Sequence, residues 1–188
     1  MNILHQIEEI LSKTSFFETG HVNISNLKYY PEVRKICEGN GCGKYGTSWA
    51  CPPATGTIEE CRERVNKYEK MILFSNKYDL EDSFDFEGMM ECGRDFRNIV
   101  NGFNGKIKDV LTDYLLLSIE GCAECKECTY PNSPCRFPEL LHHSLEGYGL
   151  IVNEVAVEAG MRYNNGANTV TYFGALLFNC QGEECNER

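Results

Sequence analysis

Long apolar runs are missing from this chain of 188 residues. No stretch approaches the roughly 20 consecutive apolar residues that cross a bilayer. The opening segment MNILHQIEEILSKTSFFETGH mixes Glu and Lys into its apolar positions, so it lacks the uninterrupted hydrophobic region of a secretion signal. Positive charge is scarce too: 18 Lys and Arg stand against 28 Asp and Glu, a formal net charge of −10. That deficit argues against partners that select cationic surfaces, namely phosphate backbones and anionic lipids. Internal repeats and low-complexity tracts are absent. The expectation is a soluble, cytoplasmic protein with neither a nucleic-acid nor a membrane partner.

Cysteine, by contrast, is abundant, with eleven in the chain. In a small secreted protein such usage builds a disulfide framework. Here the count is odd, no secretion signal is legible, and a composition 42% hydrophobic supplies a core that needs no staples. Clustered thiols in a reducing compartment are more often metal ligands.

Periodicity gives the frame. Ile3, Leu4, Ile7, Ile10 and Leu11 form the stripe of an amphipathic helix. A weak strand is expected over Thr19–Asn26, followed by a long ordered loop over 28–56, where Gly, Pro and Cys interrupt every pattern. TIEECRERVNKYEK then carries a capping box, Thr57 with Glu60, and an apolar face of Ile58, Cys61, Val65 and Tyr68. MILFSNKY, YLLLSIE and TVTYFGALLFN read as strands. Residues 92–111 read as a helix weakened by Gly102 and Gly105, and LIVNEVAVEAG as a short helix closed by Gly160. The tail CQGEECNER reads as terminal and mobile. Together these predict one mixed α/β (α+β) domain over 1–188, a small sheet flanked by helices with two cysteine-rich loops laid against it.

The sharpest chemistry lies in GCAECKECTYPNSPCRFPE, which holds Cys122, Cys125, Cys128 and Cys135. Three thiolates at C-x-x-C-x-x-C spacing converge on one metal site, as in the four-iron clusters of bacterial ferredoxins. The interval from Cys128 to Cys135 is longer and stiffened by Pro131 and Pro134. Zinc needs only paired C-x-x-C units, so a third evenly spaced cysteine is surplus to a simple tetrahedral site, and zinc stands as the alternative. The upstream loop adds Cys37, Cys42 and Cys51, the last followed by Pro52 and Pro53, which hold the chain extended past the sulfur. Seven candidate thiolates fall one short of the eight that two four-iron clusters use, leaving either an open iron or a ligand of another kind.

The remaining candidates are weaker. Cys61 sits on the apolar face of its helix and reads as core. Cys92, Cys180 and Cys185 lack a ligand spacing, although the last two could supply a ligand from the C-terminal end, and His142 and His143, shortly after Cys135, could ligate but read first as surface or capping residues. GNGCGKY fails as a phosphate loop, having one residue too few between Gly39 and Gly43 and Tyr45 after the lysine. NGFNG and RYNNGAN are turns with no strand-to-helix phosphate geometry. No nucleophile motif is present.

The stretches CEGNGCGKYGTSWACPP and GCAECKECTYPNSPCRFP, with SLEGYGLIV and NGANTVTYFGALL, resemble the family described as predicted metal-binding protein, domain of unknown function 2284. The resemblance spans nearly the whole chain. It implies metal binding at Cys122, Cys125, Cys128 and Cys135, with Cys37, Cys42 and Cys51 as companions. Where the family pattern has Arg-Pro ahead of S-x-E, this chain has His142 and His143, and Cys61, Cys92, Cys180 and Cys185 lie outside that pattern.

The functional expectation is an iron–sulfur protein with one or two four-iron clusters that exchanges single electrons with a redox partner protein. Tyr45, Trp49 and Arg136 would shield the cluster or balance its charge. A zinc-stabilised interaction module, or an enzyme working through an open iron, are the alternatives.

Overall fold

The computed structural model describes residues 2–119 and 121–180, so Cys185 and the tail from 181 onward lie outside the described residues. The first helix, α1 (Ile3–Ser12), buries Leu4, Ile7 and Leu11, and the Asn2 side chain caps it by accepting the Leu4 N–H at 2.8 Å. Strand β1 (Glu18–Val22) is shorter than expected. The Asn23 side chain accepts the Ser25 N–H at 3.1 Å, turning Ile24–Asn26 into a 3₁₀ turn that ends the extended run.

The loop expected over 28–56 requires a correction, because Pro31–Glu38 forms a helix, α2. Proline at the first helical position presets φ and forfeits no hydrogen bond there. None of the eight residues is fully buried, which is why no apolar stripe marks the helix in the sequence. Helix α3 (Ile58–Val65) opens with the expected capping box in both directions: Thr57 Oγ1 accepts the Glu60 N–H at 3.1 Å, and the Glu60 carboxylate accepts the Thr57 N–H at 2.7 Å. Helix α4 (Phe86–Ile107) starts ahead of the expected 92 because Asp85 caps it, accepting the Gly88 N–H at 2.8 Å. Gly102 and Gly105 face open space, where their cost is small. Helix α5 (Val152–Glu158) closes as expected, with Gly160 at φ 69° and the Met161 N–H returning to the Ala156 carbonyl at 2.8 Å.

Strands β2 (Lys70–Asp79), β3 (Tyr114–Ser118) and β5 (Thr169–Phe178) answer the three runs read as strands, and a fourth element, β4 (His143–Ser144), is too short to show a period. The sheet order is β1-β2-β5-β3-β4, antiparallel except for the β3–β4 pair. Alternation along β2 sends Met71 and Leu73 to one face and Ile72 and Phe74 to the other. The first face packs on Cys61 and Val65 of α3 and on Val152, Val155 and Ala156 of α5. The second packs on Ile7 and Leu11 of α1 and on Phe96, Val100 and Phe103 of α4. The mixed α/β reading therefore holds: a five-stranded sheet between two helical layers. No helix among the described residues is long and apolar enough to cross a membrane.

This frame positions the cysteines. The downstream segment leaves the end of β3, passes a 3₁₀ turn at Pro138–Leu140 and returns as β4, paired parallel to β3 at the sheet edge. The upstream segment runs between α2 and α3 and meets the same edge, where Thr55 and Pro52 lie against Gly147, just beyond β4.

Candidate metal centre

Cys37 lies in the last turn of α2, with Arg34 one turn earlier on the same helix. The chain then reverses through Asn40, Gly43 and Gly46, at φ 53°, 68° and 66°. The Asn40 side chain accepts the Tyr45 N–H at 3.0 Å, and the Pro52 carbonyl accepts the Gly46 N–H at 2.8 Å, closing the loop beside Cys51. Closure brings Cys42 and Cys51 within electrostatic reach of Cys37. Burial pushes the Cys37 thiol up, the Arg34 guanidinium pulls it down, and Cys42, Glu146 and Cys51 add to the upward shift. Cys42 is exposed, whereas Cys51 is buried.

The downstream segment opens at Gly121, φ 74°. Burial pushes the Cys122 thiol up, the backbone of Glu124 hydrogen-bonds it and pulls it down, and the Glu124 carboxylate, Cys135 and Cys125 raise it further. An N–H held against a sulfur in this way stabilises the thiolate form. Two cross-links close the longer interval: Arg136 donates to the Glu127 carbonyl at 2.8 Å, and Thr129 Oγ1 donates to the Pro134 carbonyl at 2.8 Å. They flank Cys128 and Cys135 on both sides, so these two cysteines share the base of one small loop.

The two cysteine segments touch. Trp49 Nε1 donates to the Ser133 carbonyl at 3.0 Å, and its ring meets Tyr130 edge-on with centroids 5.0 Å apart. From the same upstream loop, the Lys44 side chain lies over the Cα of Gly121. Trp49 thus packs across the downstream loop. Tyr45 lines a groove with Arg34 and Pro53, and Arg136 serves its own loop through a carbonyl.

Beneath the upstream loop lies a polar network that sequence reasoning missed. Arg34 donates to Thr55 Oγ1 at 3.1 Å, to the Gly56 carbonyl at 2.9 Å and to the Gly147 carbonyl at 2.6 Å. Arg64 donates to the Thr55 carbonyl and, at 2.9 Å, to the Tyr148 hydroxyl, with its guanidinium 5.1 Å over that ring. Both guanidinium groups reach the Cys61 sulfur at 3.7 Å. Arg64 follows Cys61 by three residues on a helix that the sequence does disclose, so its orientation was readable. Arg34 was hidden because α2 was.

Of the other cysteines and histidines, Cys61 is fully buried in the core, as its helix face implies. Cys92 sits on α4, where the carboxylates acting on its thiol are Glu91, Asp85 and Asp95. Cys180 is disulfide-bonded and so is no free ligand, and Cys185 lies outside the described residues. Burial pushes both His142 and His143 down to about 4, helped by Lys108 for the first and Arg64 for the second.

Among the described residues, no three His, Cys, Asp or Glu side chains converge closely enough to hold a single metal ion. The donor chemistry still suits a thiolate-bound metal group: soft sulfur donors gather in two sets, Cys37 with Cys42 and Cys51, and Cys122 with Cys125 and Cys135.

Fold and thiols together define a cysteine-rich mixed α/β domain with two abutting loops at one sheet edge. The chain belongs to the family described as predicted metal-binding protein (DUF2284), which matches residues 20–178. Comparison with the curated proteins and with the solved structures found no match.

Proposed function

We propose that this metal-binding protein is an iron–sulfur protein that passes single electrons to a partner protein. The observation that carries the reading is the run of three evenly spaced thiols, Cys122, Cys125 and Cys128, one more than paired zinc units use, with Cys135 brought back beside Cys128 by the loop's own hydrogen bonds.

Cys37, Cys42 and Cys51 would hold one cluster, and Cys122, Cys125, Cys128 and Cys135 the other. When bound, a four-iron cluster supplies a one-electron redox centre whose potential follows hydrogen bonds to sulfur, net charge and exposure. This chain's residues set those quantities. The Glu124 backbone bonds the Cys122 sulfur, Arg34 places positive charge beside Cys37, and Trp49 with Tyr130 covers the junction of the two loops.

The test is a reductive titration without oxygen. The broad absorption near roughly 400 nm expected of such clusters bleaches with dithionite and returns on reoxidation. A spectrum that does not respond to reductant removes the electron-transfer role.

A further inference from the structure

Exposed apolar side chains gather at one place on this surface. Phe84, Phe86 and Met90 are 79%, 69% and 63% exposed, all within seven residues around the start of α4. Scattered singly, such residues are ordinary, whereas a group of them inside a polar rim marks an interaction site. Local hydrogen bonds hold the group in place: the Phe84 N–H donates to the Asp82 carboxylate at 2.7 Å, Ser83 Oγ donates to the Asn168 side chain at 3.0 Å, and Asp85 caps α4. The turn is thus ordered without a partner, which lowers the cost of binding one.

The rim is acidic. Between Lys77 and Arg94 the chain has six Asp and Glu and no Lys or Arg. Glu81, Asp82, Glu87 and Glu91 are exposed, and among the described residues none of these four forms an ion pair. A second copy of this chain, at a net charge of −10, would meet the patch with charge of the same sign. A basic surface with an apolar centre complements it.

The patch also lies on the cysteine side of α4. Phe86, Met90, Arg97 and Asn101 stand at intervals of four, seven and four residues, so they share one face of the helix. Arg97 and Asn101 line a small cavity with Cys122, and Asn101 Nδ2 donates to the Glu124 carboxylate at 3.0 Å. From Met90 to Arg97 the helix climbs only about 10 Å. A protein seated on the apolar end of this face would therefore sit beside the Cys122 loop. Three side chains make a small contact, suited to the transient redox encounters that bury less than about 1,200 Å² in total.

We propose that Phe84, Phe86 and Met90, with their acidic rim, form the docking surface for a one-electron acceptor protein whose redox group is exposed within a ring of lysines. The proposal rests on the electron-transfer reading above. One electron leaves the reduced cluster and enters the acceptor, which is reduced by one, and no bond or proton moves.

The test uses cytochrome c, a basic one-electron acceptor with a lysine-ringed haem edge, mixed in stopped flow with the anaerobically purified, dithionite-reduced protein after excess reductant is removed. The second-order rate constant is expected to fall about tenfold between about 20 and 200 mM salt. At low salt it is expected to fall about tenfold in the double variant Glu87→Lys, Glu91→Lys, and less than about twofold in Glu63→Lys, Glu69→Lys, which makes the same change of net charge on the α3 side of the sheet. Phe86→Ser with Met90→Ser lowers it several-fold while iron and sulfide content holds. Equal loss in the two charge-reversed variants, no loss in the serine variant, or a reduced cluster that passes no electron to cytochrome c overturns the docking surface and leaves the cluster reading standing. A dimer in sedimentation that the serine variant separates overturns it in favour of a second copy. A chain with no reducible cluster overturns the electron-transfer reading alone. The surface is then upheld if calorimetric binding of cytochrome c is lost in Glu87→Lys, Glu91→Lys and kept in Glu63→Lys, Glu69→Lys, and overturned by any other pattern.

Discussion

The indole N–H of Trp49 donates to the Ser133 carbonyl at 3.0 Å, joining a residue two positions before Cys51 to one two positions before Cys135. A single side chain therefore ties the upstream cysteine loop to the downstream one. Trp49→Phe keeps an aromatic edge for Tyr130 but leaves the Ser133 carbonyl without its donor, a change of about 1 kcal/mol in loop anchoring. The expected outcome is unchanged metal content with several-fold faster loss to a chelator, followed by absorbance. An unaltered release rate would show that the two loops are held together elsewhere.

Arg34 spans three acceptors from two segments: Thr55 Oγ1, the Gly56 carbonyl and the Gly147 carbonyl. Arg34→Met keeps the bulk and strips every donor, leaving the Thr55 hydroxyl and the Gly56 and Gly147 carbonyls without this partner. A loss of about 2–4 kcal/mol in urea denaturation is expected, with Arg34→Lys recovering only part because a compact ammonium cannot span the fork. Full recovery by lysine would mean that charge alone, without the planar geometry, does the anchoring.

At the centre of the sheet, a Cβ at Gly174 would collide with the Phe74 ring and lie 2.8 Å from the Leu117 carbonyl. Gly174→Ala forces one of these apart in a packed layer, and overpacking of this kind costs about 1–3 kcal/mol. The melting temperature should fall while metal content per folded chain holds. A neutral substitution would show that Phe74 can swing aside.

Cysteine variants separate ligands from packing. Cys51→Ser and Cys122→Ser are expected to lose bound metal, because each is a buried or half-buried thiol inside one of the two sets. Cys92→Ser, on α4 among carboxylates, is expected to retain it. Metal content of the purified variants decides, and equal loss in all three would point to general destabilisation.

Legibility in the sequence followed the strength of the local signal. The capping box at Thr57 and Glu60, the alternation in MILFSNKY and the glycine at 160 each express a local rule that the fold obeys. Helix α2 was not readable, since it buries no residue completely and so carries no stripe. Strand β4 was not readable either, because two residues have no period and pair only after the chain has returned to β3. The cysteine spacings marked both loops, but their meeting through Trp49 and Ser133 spans 84 residues of sequence. Arg97 and Asn101 of α4, Ser118 of β3 and His142 just ahead of β4 line one small cavity with Cys122, a meeting that spacing alone does not encode.

Counting iron, acid-labile sulfide and zinc per chain, on protein purified without oxygen, separates a cluster protein from a zinc module. Iron and sulfide are expected in equal amounts, about eight of each for two four-iron clusters, with negligible zinc. A colourless protein carrying stoichiometric zinc and no sulfide would contradict the cluster reading, and the cysteine loops would then be structural metal clasps.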